Sequence, residues 1–444
     1  MSKRKAILLL LSIFILIAYS RVNGAGFKAS NALPDPGAID GSGLANVPPV
    51  ADAIRSVQNR IRQNPRDAVS YTLLGDLYLR QARESGDISA YQRAETALSK
   101  AVDLLPGYAP AGSLLASVHY ARHDFTQALE LAGQVHASNP RNLSARTIMA
   151  DAYLSLGEYE QAEVIYRELG EANASPPVLA RLAHLADLKG NPDQALVLME
   201  RAAGEALHSG GTKENTAWYL LRLGDLHFSR GETRASGAYY EASLRVFENY
   251  HLALAGLGRV SAAQGKYDEA IAYYRRAVNI VPQPESLAAL GDLYMLTGQP
   301  GQAKIQYDTV EYIGQLAALN RQVYNRQLAN FYSDHDLNLP EALQLALAEL
   351  QVRRDIHGYD AAAWAYYKNG KFQEAQNMME QALALGTRDA QLYYHAGMIA
   401  VALEDESRAR QYLEQALAIN PHFSILQAAE ARRTLETLPA AVMN

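Results

Sequence analysis

The chain contains no cysteine among its 444 residues. This absence excludes disulfides, zinc–thiolate sites, iron–sulfur clusters and thiol nucleophiles. It also excludes the lipid-bearing cysteine that a bacterial lipoprotein needs after its signal. An exported protein of this composition must therefore be held together by packing alone, which a long helical array can achieve.

Clusters of Lys and Arg are also missing from the body of the chain. The whole chain has a net charge of −6, and the first 24 residues contribute +4, so residues 25–444 carry −10. Basic clusters supply most of the affinity for a phosphate backbone. We therefore expect no nucleic-acid partner. The hydrophobic content of 49% indicates a folded protein with a large core.

The N-terminus has the order of features of a secretory signal. Lys3, Arg4 and Lys5 precede an apolar run over 6–19, and a small-residue stretch ends at Gly24. The run of fourteen residues reaches roughly 21 Å as a helix, less than the roughly 30 Å of a bilayer core. The pattern predicts an exported protein with a signal at 1–24, cleaved before Ala25. An uncleaved anchor, the only expected membrane contact, is the alternative.

Internal similarity begins at residue 51. A Leu-Gly, Leu-Ala or similar pair recurs, followed in many copies by a glycine seven residues later and an alanine twelve residues later. The second residues of the pairs are Gly75, Ala116, Ala150, Ala183, Gly224, Gly258, Gly291, Ala329, Ala363 and Gly397. Six of their nine spacings lie within one residue of 34, and the other three are longer. Such a period indicates a repeat architecture.

This pattern resembles the tetratricopeptide repeat family, whose unit is a helix–turn–helix of 34 residues. The resemblance implies an all-α fold: a right-handed superhelical solenoid of about ten units. We expect a flexible linker at 25–50, the solenoid at 51–421 with a half unit at 51–66, a capping helix at 422–438 and a tail at 439–444. Ser424 and Gln427 form a plausible capping box for that last helix.

Enzymatic motifs are weak in this sequence. His119 and His123 lie four residues apart, but no third metal ligand follows, and we expect no metal and no cofactor. The irregular region 310–360 contains Asp334, His335 and Asp336. An unrecognised catalytic site would have to lie in this region. The repeat explains the rest of the chain, so the sequence favours a protein that is not an enzyme.

The resemblance also implies a concave groove lined by the first helix of each unit. Carrying the family's groove positions over to this chain places side chains of two patches there. They are Trp218, Leu221, Asp225 and Phe228 in the fifth copy, and His357, Asp360, Trp364, Tyr367, Tyr394 and Met398 in the ninth and tenth. Aromatic anchors beside carboxylates are typical of peptide-binding grooves. Packing against neighbouring helices is the alternative for the aromatic residues.

One groove position carries a carboxylate in four copies, and we call this set the acidic ladder: Asp76, Asp151, Asp225 and Asp292. A row of carboxylates favours a ligand that carries Lys or Arg. A solvated acidic rim is the alternative. The sequence thus predicts an exported scaffold that binds a protein or peptide, in cell-envelope assembly or secretion. The alternative function is an accessory subunit that docks substrate onto a separate envelope enzyme or secretion machine.

Overall fold

A computed structural model of the chain describes residues 32–45, 47–319 and 325–439. The expected signal at 1–24 and most of the expected tail, residues 440–444, lie outside these residues. The described part is all-α, with 22 α-helices and a short 3-10 helix at Pro36–Ala38. It contains no β-strand, and Ala45 and Thr212 form an isolated bridge.

Ten consecutive hairpins follow one leading helix, and a last helix follows them. The leading helix is α1 (Val50–Gln63). The hairpins are α2 (Ala68–Ser85) with α3 (Ser89–Leu104), α4 (Ala109–Ala121) with α5 (Phe125–Ser138), α6 (Leu143–Ser155) with α7 (Tyr159–Ala172), α8 (Pro176–Leu188) with α9 (Pro192–His208), α10 (Lys213–Ser229) with α11 (Thr233–Val246), α12 (His251–Ala263) with α13 (Tyr267–Ile280), α14 (Pro284–Leu296) with α15 (Pro300–Leu319), α16 (Asn325–Asp334) with α17 (Leu339–Val352), α18 (Ile356–Lys368) with α19 (Phe372–Ala382), and α20 (Ala390–Ala402) with α21 (Glu406–Ile419). The last helix is α22 (Gln427–Thr437).

The small residue of each repeat lies where the two helices of a hairpin approach most closely. A Cβ atom added at Gly224 of α10 would overlap the ring of Tyr240 on α11. Gly291 of α14 faces the ring of Tyr307 on α15 in the same way. The small residue therefore makes room for the tyrosine, which fills the space between the hairpin's helices. Hairpins stacked in this way form the right-handed solenoid that the repeat predicts.

Successive turns of the superhelix touch each other, and we call this contact line the seam. The backbone N–H of Arg354 donates to the carbonyl of Ser155 at 3.1 Å, and that of Ile356 donates to the Tyr159 hydroxyl at 2.9 Å. One hairpin further on, Thr387 donates to the Leu188 carbonyl. Each contact joins one hairpin to the sixth hairpin after it. One superhelical turn therefore takes about six hairpins, and the concave groove becomes a closed channel.

Residues 32–45 are part of this folded body, which corrects the expectation of a flexible linker there. Ile39 and Leu44 are buried against the fifth hairpin. The Arg245 guanidinium on α11 donates to the carbonyl of Ile39 at 3.0 Å and also to that of Pro36. Composition suggested a spacer because residues 27–50 are rich in Gly, Ala, Asn and Pro. Two apolar side chains with satisfied backbone groups were enough to bind it to the array.

Gly190→Ala is expected to destabilise the seam. Gly190 has a φ of 72°, and an added Cβ would overlap the carbonyl oxygen of Gly386 on the next turn. Gly370 has the same φ but open space around its Cβ position. Alanine at Gly370 should therefore lower the free energy of unfolding by about 1 kcal/mol, through left-handed backbone strain alone. At Gly190 the overlap should increase this loss to about 2–4 kcal/mol.

Urea unfolding of the two variants measures this difference. Hydrogen exchange should in addition show faster opening of the loop at residues 384–388 in Gly190→Ala only. Equal losses of stability in the two variants would contradict a tight seam.

Candidate functional site: the central channel

The channel contains a cavity of about 1330 Å³, which we call the chamber. Its wall comes mainly from α10, α12 and α14, and the segment before α22 with the first residues of α22 closes one side. Representative wall residues are Tyr91, Trp218, Leu221, Arg222, Asp225, Arg259, Tyr274, Ala289, Ile425 and Ala428. Aromatic, aliphatic and charged side chains therefore meet in one cavity.

Trp218 is the predicted groove aromatic that stays available in the chamber. Its side chain is 36% exposed and meets the ring of Tyr219 edge-on, with centroids 5.2 Å apart. Leu221, one turn later, also lines the chamber but is largely buried. Phe228 is buried, and the Arg259 guanidinium lies 4.3 Å from its ring centroid. In the fifth hairpin the structure therefore retains Trp218 as an accessible anchor and uses Phe228 for packing.

The carboxylates of the acidic ladder are largely neutralised within the protein. Asp151 accepts a hydrogen bond from the Tyr166 hydroxyl at 2.6 Å. Both of its oxygens also accept from Arg181, which donates through Nε and Nη2 at 2.7 Å each. Burial and the nearby Asp151 carboxylate raise the pKa of Tyr166, so the phenol stays protonated and donates. Asp151 therefore binds three helices together instead of facing a ligand.

The same arrangement recurs at two further rungs of the ladder. Asp225 accepts from the Tyr240 hydroxyl at 2.8 Å and from Arg259 at 2.7 Å. Asp292 accepts from the Tyr307 hydroxyl at 2.8 Å and lies 2.7 Å from a ring nitrogen of His335. This corrects the expectation of a row of ligand-facing carboxylates at Asp151, Asp225 and Asp292. Asp76 lies exposed on α2.

A signal for these triads was present in the sequence. Each of the three carboxylates is followed by a tyrosine 15 residues later, as Asp76 is by Tyr91. That interval is the distance from the groove position of the first helix to the packing position of the second. The cation is harder to find, because its separation from the carboxylate varies from 30 to 43 residues. Arg181 and Arg259, which the sequence analysis missed, belong to this set.

The predicted aromatic patch of the last two hairpins lies beneath α22. Trp364 is only 3% exposed, and Tyr394 and Met398 are buried beside it. The Tyr394 hydroxyl donates to Glu430 of α22 at 2.8 Å, and Ala431 packs into the same cluster. The expectation that Trp364, Tyr394 and Met398 stand open to a ligand is therefore corrected. The last helix occupies the groove itself, because the groove is where unpaired apolar surface remains.

The remaining groove candidates of the ninth hairpin divide between packing and partial exposure. Asp360 is buried and lies 2.7 Å from Nδ1 of His395. His395 in turn stacks on Trp364, with centroids 4.1 Å apart. His357 and Tyr367 stay partly exposed. None of the three candidates, His357, Asp360 and Tyr367, belongs to the chamber wall.

A second cavity of about 340 Å³ lies between α22 and the first helices of hairpins 7 to 10. Asp334 lines it and accepts from the Trp364 indole and from the Gln427 amide, each at 2.8 Å. His335 lines it too, whereas Asp336 is exposed and pairs with Lys368 at 2.6 Å. The structure therefore brings two of the three residues of the suspected catalytic region to a cavity, and both hold helices together.

His335 is positioned to carry a positive charge. Its Nδ1 lies 2.7 Å from the Phe331 carbonyl and its Nε2 lies 2.7 Å from Asp292, so both neighbours are acceptors. Burial opposes charging, but the hydrogen bond and charge of Asp292 outweigh it and raise the pKa of His335. Burial also raises the pKa of Asp334. The His335–Asp292 pair explains the first shift and burial explains the second, and neither requires a catalytic role.

Among the residues that the structure describes, no group of three or more His, Asp or Glu side chains is arranged to hold a metal ion. None of the helices in 32–45, 47–319 and 325–439 is both long and apolar enough to cross a membrane.

Comparison with known proteins shows the same repeat. Family models of the tetratricopeptide repeat match residues 119–185, 221–285 and 361–422. TPR repeat-containing protein YpiA of Bacillus subtilis is 20% identical over 317 residues, which cover 70% of this chain and 64% of YpiA. TPR repeat-containing protein MJ1428 of Methanocaldococcus jannaschii is 23% identical over 274 residues, which cover 61% of this chain and 43% of that protein. The chain therefore spans less than two thirds of the length of either relative.

Among solved structures, the human IFIT1 dimer with m7Gppp-AAAA aligns with a TM-score of 0.49 at 16% identity. The alignment covers 75% of this chain and 77% of that chain. The ranges that the family models match lie within the array of ten hairpins. By these matches and the repeat itself, the chain is a tetratricopeptide repeat protein.

Proposed function

We propose that this protein is an exported scaffold, without enzymatic activity, that holds a segment of a partner protein in its central channel. The observation that carries the proposal is the chamber of about 1330 Å³ with the half-exposed Trp218 in its wall. A cavity of this volume admits a short peptide segment, and a partly exposed indole is a strong anchor for one. Tetratricopeptide repeats typically bind proteins or peptides, which supports the same function.

Export and a role in cell-envelope assembly or secretion are part of this proposal. They rest on the signal-like order of residues 1–24. The acidic ladder does not contribute a preference for Lys or Arg in the chamber, because three of its four carboxylates are bound to tyrosine and to arginine or histidine. The net charge of −10 over residues 25–444 supports a protein partner over a nucleic acid.

Trp218→Ala is expected to reduce capture of the partner at least tenfold, which corresponds to about 1.4 kcal/mol. The full chain serves as bait for the exported fraction of the source cells. The matched control is Tyr312→Ala, since Tyr312 is 59% exposed on α15 and lies outside the chamber wall. Capture that is unchanged in Trp218→Ala, with the helical content retained, would refute binding in the chamber.

The same capture distinguishes the alternative function, an accessory subunit that docks substrate onto a separate envelope machine. A scaffold for a soluble client retains that client after the membranes are removed. An accessory subunit is instead recovered with an envelope enzyme or a secretion complex.

A further inference from the structure

The groove of the last three hairpins is occupied by the protein's own last helix. α22 lies across hairpins 8 to 10, and hydrogen bonds to α16 and α20 hold it there. The Gln427 amide donates to Asp334 of α16, and Glu430 accepts from Tyr394 of α20, each at 2.8 Å. Directly after Glu430, Ala431 packs against the Trp364 cluster.

The packing between α22 and this groove is incomplete. The buried residues of α22 are Gln427, Ala428 and Ala431, and Leu435 packs partly buried against the Trp364 cluster. The second cavity, about 340 Å³, lies beside this contact and is lined by Gln427 and Glu430 of α22 and by Asp334, Trp364 and Tyr394. Gln427 is only 5% exposed, yet its carbonyl oxygen has no hydrogen-bond partner within the described residues. A buried amide with an unmet acceptor beside an unfilled cavity indicates a poorly matched occupant.

The charges of the second cavity are unbalanced towards the negative. Each of its three cations already has a carboxylate: His335 has Asp292, Arg326 has Asp355, and Lys368 has Asp336. Asp334, by contrast, accepts only from the neutral groups of Trp364 and Gln427. Burial raises the pKa of Asp334, and the nearby His395 and His335 act in the opposite direction without donating a hydrogen bond to it. A carboxylate whose hydrogen-bond donors are all neutral favours a ligand that brings a cationic donor.

We propose that α22 is an exchangeable occupant of this groove, and that an amphipathic helix of a partner protein displaces it. That helix carries an arginine or a lysine at the place of Gln427, where the longer cationic side chain fills the second cavity and pairs with Asp334. Small residues occupy the places of Ala428 and Ala431, over the Trp364 cluster. This proposal rests on the proposed function as a protein-binding scaffold. It names the kind of partner that the groove under α22 would bind, and that groove does not include Trp218.

The probes are two labelled synthetic peptides of residues 422–439, one with the native sequence and one with Gln427→Arg. The protein is the full chain with Ala431→Asp, which places a charge in the apolar contact and should release α22 from the groove. The matched control is Arg433→Asp, because Arg433 is exposed on the same helix. Hydrogen exchange verifies that α22 opens in Ala431→Asp while α18 and α20 stay protected.

We expect the Gln427→Arg peptide to bind Ala431→Asp at least tenfold more tightly than the native peptide. Both peptides should bind the unaltered chain and Arg433→Asp at least tenfold more weakly than they bind Ala431→Asp, since α22 competes there. Adding Asp334→Asn to Ala431→Asp should remove the preference for the arginine peptide and keep binding of the native one. If Ala431→Asp loses protection in α18 and α20, Glu430→Ala replaces it, with the same expected order of affinities.

Two results would overturn the inference. One is equal binding of the two peptides. The other is no binding of either peptide to a variant in which hydrogen exchange shows α22 released. Neither result depends on Trp218, so this assay and the capture experiment on the chamber fail independently of each other.

Discussion

Replacing Trp364 with alanine is expected to lower the local free energy of unfolding of the last hairpins by about 3–5 kcal/mol. Trp364 is 3% exposed, stacks on both Tyr367 and His395, and donates its indole N–H to Asp334. The alanine variant loses this buried surface and leaves a cavity between α18, α20 and α22. It also removes one of the two donors of the Asp334 carboxylate.

Hydrogen exchange is the suitable measurement, because a repeat array need not unfold in one step. Faster exchange should be confined to α16, α18, α20 and α22. The matched control is Trp218→Ala, which removes the other of the chain's two tryptophans from a half-exposed position. Its cost in stability should stay below about 1 kcal/mol. Similar losses in the two variants would contradict the burial of Trp364.

Arg181→Met is the second variant with a large expected effect, a loss of about 2–4 kcal/mol in the stability of the third and fourth hairpins. Methionine keeps most of the apolar stem of Arg181 but removes both charged hydrogen bonds to Asp151. The Asp151 side chain is 11% exposed, so its charge is left with the Tyr166 hydroxyl alone. The Arg181 side chain is 33% exposed, which admits water and keeps the cost below that of a fully buried pair.

The control for this variant is Arg167→Met. Arg167 pairs with Glu163 at 2.5 Å but is 69% exposed, so its removal should cost about 0.5 kcal/mol or less. Asp151→Asn combined with Arg181→Met should recover part of the loss, because it removes the charge that lacks a counter-ion. Urea unfolding of the unaltered chain and of the three variants measures both effects. A double variant that is less stable than Arg181→Met would show that the pair is not the source of the loss.

The two tryptophans show which features of the site the repeat pattern predicts and which it does not. Both occupy groove positions of the same repeat frame, Trp218 in the fifth copy and Trp364 in the ninth. Only Trp218 is available to a ligand, because α22 lies over Trp364 and not over Trp218. The sequence predicted a last helix after residue 421, and the structure places one at Gln427–Thr437. The pattern contained no information on whether that helix stacks on the end of the array or enters its groove.

The sequence by itself determined the hairpins of this protein. Helical period, small residues at close contacts and glycines after the first helices are local properties, and each acts within about 34 residues. For the same reason the sequence contained the 15-residue spacing that joins Asp151 to Tyr166 and Asp225 to Tyr240. These features need no knowledge of how distant hairpins are arranged.

Tertiary structure alone decided which groove residues a ligand can reach. The pitch of the superhelix is the sum of small rotations at every hairpin contact, including the contacts beside the three longer repeats. That sum brings Ser155 to Arg354 and Leu188 to Thr387, closes the groove into a channel, and directs α22 across hairpins 8 to 10. No short segment determines this accumulated rotation. The chamber, the seam and the covering of Trp364 by α22 therefore form only when all ten hairpins are stacked.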